Sequence, residues 1–141
     1  MSGMNLFDKF LKVFETLEEE GVDYILIGGF AIILHGFPRL TQDIDILVKM
    51  TDSNIHKLQQ ALFRIFADQE VYKITLDDLK QYAVIRYGSP EDFHIDLIAK
   101  IGEIATFDDI KYELVQVEGV NVNTATPESL YQLKKDSIRP E

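Results

Sequence analysis

Two aspartates, Asp43 and Asp45, flank one isoleucine at the head of the aliphatic run DIDILV, directly after the segment GGFAIILHGFPRLTQ. An extended strand sends successive side chains to opposite faces. Asp43 and Asp45 are therefore expected on one face, with Ile44 and Ile46 turned into a core. Two carboxylates side by side on an apolar strand are costly unless something compensates them, and a divalent cation is the commonest compensation. A chain carrying this pattern has to build a buried strand with packing on one side and chemistry on the other.

Upstream, residues 24–28 (YILIG) read as a second buried strand that runs into Gly28 and Gly29, and FAIILH reads as a helix. Glycines at a helix start leave backbone N–H groups exposed where phosphate is favoured. A phosphate cradle followed by metal-binding carboxylates is the order of parts that phosphoryl or nucleotidyl transfer requires.

The remaining pattern alternates. Leu6, Phe7, Phe10, Leu11, Phe14 and Leu17 recur at helical spacing, and Gly21 stands where a helix stops. The stripe of Phe7, Phe10 and Phe14 reads as core or partner surface rather than a base-stacking platform. Gly36 and Pro38 end the short second helix, and Thr51 or Asp52 caps a third whose apolar positions run from Ile55 to Phe66. A shorter helix is expected from Thr75, with Asp78 in capping-box position. Residues 82–87 and 93–99 read as paired strands around a Gly-Ser-Pro-Glu-Asp turn, and 114–117 with 120–123 as a hairpin around Glu118 and Gly119. Thr126 then caps a last helix with Pro127 at its first position. The order starts as βαβ and ends in hairpins. The expected fold is an α/β (α+β) mixed sheet with helices packed on it, as a single domain spanning 1–141.

Charge and composition remove several classes of function. With 24 acids against 14 bases the net charge is −10, which disfavours an extended nucleic-acid surface but leaves room for a local contact with an RNA end. There is no cysteine, so disulfides, thiolate zinc sites and cysteine nucleophiles drop out. The opening MSGMNLFDKF lacks a basic lead and an apolar core, and no apolar run is long enough to span a bilayer. A cytoplasmic protein without a membrane partner is expected.

Within FHIDLIA a third acid, Asp96, stands in an apolar strand. If that strand lies beside Asp43–Val48, three carboxylates converge and could clamp a metal pair roughly 4 Å apart. Asp43 and Asp45 would be ligands, and Asp96 a ligand or general base near the acceptor. The bland alternative for the pair is a strand-end cluster held by arginine or backbone.

At these residues the chain resembles minimal nucleotidyltransferases of the DNA polymerase beta superfamily. It is most similar to the AbiEii-like, abortive-infection branch, with its glycine pair, helix, and HG-x-x-R-x-T-x-DID. HIDLIA resembles the family's third-carboxylate segment, and TPESLYQLKKD its Pro-x-x-Leu…Lys element, in which a lysine approaches the nucleotide. The resemblance covers roughly residues 22 to 139 in ordered motifs. Where the superfamily usually has Gly-Ser, this chain has Gly28-Gly29, so backbone alone faces the triphosphate. Relatives often continue beyond the point matching Glu141.

The resemblance implies catalytic and metal roles for Asp43, Asp45 and Asp96, with Mg²⁺ (or Mn²⁺) as cofactor. It implies nucleotide contacts at Gly28, Gly29, Arg39 and Lys134, with an NTP as donor and pyrophosphate as leaving group. Arg39 has the alternative of pairing with Asp43 or Asp45 in the metal-free protein, and Lys134 that of a base suited to a helix end. His35 is expected to be packed at a helix end, and His94 to share the face of Asp96. The acceptor, whether small molecule, protein or RNA end, does not follow from family. Two other readings stay open: a catalytically weak, antitoxin-like module that binds a protein partner, and a metal-dependent phosphohydrolase.

Overall fold

The computed structural model describes residues 5–37, 41–102 and 105–137, with the side chains of Asp136 and Ser137 left aside. Helix α1 (Leu6–Glu19) starts where Asn5 Oδ1 accepts from the Asp8 N–H at 2.8 Å, satisfying one of the free donors of its first turn. It buries Phe10, Val13, Phe14 and Leu17, so the aromatic stripe is core. Strand β1 (Tyr24–Ile27) is buried at every position, and α2 (Gly28–Leu34) follows it without an intervening loop. Phe10 meets Phe30 of α2 edge-on, with ring centroids 4.9 Å apart.

Strand β2 (Asp43–Val48) has the predicted bounds, and Thr51 caps α3 (Asp52–Phe66) by accepting from the Asn54 N–H at 3.1 Å. A 3-10 turn over Gln69–Lys73 leads to α4 (Leu76–Tyr82), capped by Thr75 as expected. Strands β3 (Val84–Gly88) and β4 (His94–Ile98) follow as an antiparallel pair. The first of them begins two residues later than expected. Tyr82 is the end of α4, and Ala83 takes a left-handed φ of 67° while its N–H caps the helix on Leu79 O, so neither joins the strand.

A two-stranded ribbon that the sequence pattern did not reveal joins β5 (Lys100–Ile101) to β6 (Ala105–Thr106). The second hairpin, β7 (Tyr112–Val117) and β8 (Val120–Ala125), is longer than expected at both outer ends. Glu118 and Gly119 both have positive φ, 49° and 82°, which is the twist a two-residue hairpin loop favours. Helix α5 (Pro127–Ser137) opens on Thr126, whose Oγ1 accepts from the Ser129 N–H at 3.1 Å.

The six long strands form one mixed sheet in the order β3-β4-β2-β1-β8-β7. β1–β2 is antiparallel, while β2–β4 and β1–β8 are parallel. Helices α1 and α3 cover one face and close over Leu26, Ile44, Ile46, Ile95 and Leu97. On the other face a smaller cluster, Ile25, Ile27, Leu47, Ala125 and Leu133, sits under α5 and the β5–β6 ribbon. The sheet thus divides the molecule into a thick packed side and a thin side. Asp43 and Asp45 belong to the thin one. No helix among the described residues is long and apolar enough to cross a membrane.

Candidate active site

The site is set by strand alternation and one parallel register. Ile44, Ile46 and Val48 fill the thick side, which leaves Asp43, Asp45 and Leu47 on the other. Across the parallel pair Asp45 stands opposite Asp96, and Asp43 opposite His94, so these four side chains share a face. On the far side of β4, Arg86 of β3 stands opposite Asp96. Three carboxylates from two neighbouring central strands are therefore brought together as expected, with an arginine from the edge strand beside them.

Arg86 Nε donates to Asp96 Oδ1 at 2.9 Å, and its Nη2 donates to Asp43 Oδ2 at 3.1 Å. The same Nη2 lies 3.4 Å from Asp96 Oδ2. His94 Nδ1 is 3.4 Å from Asp43 Oδ1, so this histidine borders the site with about half its side chain exposed. His35, by contrast, is packed: its Nε2 donates to the Ala125 carbonyl at 2.8 Å, which ties the end of α2 to β8.

Asp45 is the least comfortable of the acids. Partial burial, then the charge and hydrogen bonding of Asp96, then the charge of Asp43 push its carboxyl up to about 6, with Arg86 acting in the opposite direction. Gly28 is pressed against it. A Cβ at position 28 would overlap Asp45 Oδ2 and lie 3.1 Å from Asp45 Cγ, and the backbone there has a φ of 76°. Position 28 needs glycine for both reasons. Ile27, at the cap position of α2, offers no side-chain acceptor to the first N–H groups of the helix.

A cavity of about 560 Å³ opens beside Gly28, Gly29 and Asp45. Its walls are aliphatic, with Ile32, Ile98 and Leu133 among them, and Lys100 and Lys134 supply cationic groups. Lys134 lines the same cavity as the glycine pair. Asp45 alone of the three acids lines the cavity and so joins it to the carboxylate patch. Arg39 lies outside the described residues.

Sequence reasoning missed Arg86 and Lys100. Arg86 was within reach of a finer argument: it shares a strand face with Val84 and Gly88, alternating with Ile85 and Tyr87, and the Ser89-to-Phe93 turn folds it back onto Asp96.

The family described as "Nucleotidyl transferase of unknown function (DUF2204)" matches residues 6–141. The chain belongs to this family. Among solved structures, this DUF2204 chain is similar to a Thermotoga maritima protein described as a "putative nucleotidyltransferase (TM1012)". The TM-score is 0.57 at 14% identity, over 90% of this chain and 81% of the other. At that identity the likeness establishes the fold, a nucleotidyltransferase-like mixed α/β architecture. No curated protein matches the sequence.

The donor chemistry suits a hard divalent cation: three carboxylates on one face, one of them held high in pKa by burial and then by the other two. Yet among the described residues no three acids or histidines converge as ion ligands. Oxygens of Asp43 and Asp96 are instead committed to Arg86.

Proposed function

We propose that this DUF2204 protein is a Mg²⁺- or Mn²⁺-dependent nucleotidyltransferase, moving a nucleoside monophosphate from an NTP to an acceptor and releasing pyrophosphate. The observation that carries the reading is the parallel β2–β4 register. It sets Asp45 opposite Asp96 with Asp43 on the same face, next to a cavity that begins at Gly28 and Gly29. In this reading Asp43 and Asp45 hold the metal. Asp96 is the further ligand or the base that takes the acceptor's proton. The metal, when bound, neutralises phosphate charge and activates the attacking hydroxyl. The N–H groups at the start of α2 and the ammonium of Lys134 face the triphosphate, and the aliphatic walls hold base and sugar.

The ordered motifs GGFAIILHG, DID and TPESLYQLKKD support placing the chain in the AbiEii-like branch. Small molecules, proteins and RNA ends all remain in the acceptor class. The net charge of −10 weighs against a long polymer. One observation favours the second reading, a catalytically weak module acting through a protein partner: an arginine already neutralises two of the three acids.

The deciding experiment incubates the protein with α-³²P-labelled NTPs, Mg²⁺ or Mn²⁺, and cell extract. Metal-dependent label on an acceptor, lost in Asp45→Asn, is the expected result. Release of labelled nucleotide or phosphate without transfer would point to a phosphohydrolase. NTP binding that ignores both metal and Asp45→Asn would sink the enzyme reading.

A further inference from the structure

Among the described residues, Arg86 is the one arginine or lysine paired with the three acids, and it touches only part of the set. Its guanidinium spans from β3 across β4 to β2, donating to Asp96 Oδ1 at 2.9 Å and to Asp43 Oδ2 at 3.1 Å. Those oxygens are ones that a hard cation lying between β2 and β4 would require. None of its hydrogen bonds goes to Asp45, the acid that faces the cavity.

We propose that Arg86 is a tethered counter-ion that competes with the divalent metal for Asp43 and Asp96, so that metal loading requires the guanidinium to leave the carboxylates. This inference rests on the metal-dependent reading above and adds to it a means by which the site resists premature loading. Three arguments support it. A guanidinium keeps its charge at any physiological pH, so it cannot step aside by losing a proton. It must move instead, and the fold allows movement: β3 is an edge strand, and the Arg86 side chain is 55% exposed, so water can take over its solvation. Exposed ion pairs are weak individually, so release is inexpensive compared with the coordination of a divalent ion. Finally, Arg86 occupies one oxygen each of Asp96 and Asp43, the two acids that flank Asp45 on this face. Asp45, free of Arg86, is the carboxylate first open to an incoming cation.

The test is titration calorimetry of the full chain with Mn²⁺ alone, comparing wild type, Arg86→Met, Arg86→Lys and Asp45→Asn. Arg86→Met is expected to bind Mn²⁺ several-fold more tightly than wild type, with Arg86→Lys in between. Asp45→Asn should bind little or none. If wild type binds through Asp45 and Arg86→Met binds no more tightly, the counter-ion proposal is overturned while the metal-dependent reading stands. If neither wild type nor Arg86→Met binds above the Asp45→Asn level, both fall. Should Arg86→Met fail to fold, NMR of wild type decides. Saturating Mg²⁺ should shift the Arg86 Nε–H resonance and speed its exchange with water, and an unchanged resonance would overturn the proposal.

Discussion

At the scale of single residues, the contact between Gly28 and Asp45 joins the two halves of the site. The positive φ at position 28 starts α2 immediately after β1, and the missing side chain lets Asp45 lie against the turn. An added methyl group meets both constraints at once. Gly28→Ala is expected to cost on the order of 1–3 kcal/mol from backbone strain, and to turn the Asp45 carboxylate away from its place. Denaturant unfolding should record the stability loss, and calorimetry with an NTP and Mn²⁺ should record weaker binding. Wild-type values in both would mean that position 28 is not the close contact described. The glycine pair was legible in the sequence as a turn. Its specific partner was not, because a contact between residues 28 and 45 depends on β1 and β2 pairing in one register and no other.

At the scale of elements, much of the pattern was legible because it rests on local rules. Alternation placed Asp43 and Asp45 on one face, helical spacing located α1 and α3, and Thr51, Thr75 and Thr126 capped the helices expected of them. The pairing of β2 with β4 was only a condition in the sequence argument. α3, α4 and β3 intervene in the chain, and parallel neighbours have no turn to announce them. The β5–β6 ribbon was missed because two-residue strands leave no periodicity to read. Asn54 was missed for a related reason. It looks like an ordinary polar residue in the first turn of α3, but it is buried and clamps two strand ends. Its Oδ1 accepts from the Asp23 N–H at 2.7 Å, and its Nδ2 donates to the carbonyls of Asp23 and Lys49, each at 2.9 Å. These bonds hold the entry to β1 beside the exit from β2, and so support the strand that carries the acid pair. Asn54→Ala would leave the Asp23 N–H without its partner, while the Asp23 and Lys49 carbonyls keep the N–H groups of Lys49 and Thr51, and is expected to destabilise by about 1–3 kcal/mol. A melting midpoint equal to wild type would show that water replaces the clamp.

At the scale of the whole molecule, the unequal thickness of the two sides of the sheet has a mechanical consequence. The side built from α1 and α3 is closed by fully buried aromatic and aliphatic residues, including Phe10, Phe14, Phe93 and Leu58. Among the described residues, the side that carries the acids is closed by α5, the small ribbon and the segment of Phe107 and Ile110, over five buried residues of which Leu133 is the single one from α5. Local opening is governed by how much apolar contact must be broken, so α5 should open at far lower free energy than the central strands. That places the weakly held element over the cavity, where the nucleotide of the proposed reaction would enter and leave. Hydrogen exchange is expected to show amides of α5 and β5–β6 exchanging well before those of β1, β2 and β4. Leu133→Ala should accelerate α5 without altering the central strands. Adding an NTP with Mn²⁺ should slow exchange in α5 through Lys134 and the walls it shares with Leu133. If α5 proves as protected as β2 in the ligand-free protein, the thin side is no entrance, and substrate must reach Asp45 over the open edge at β3.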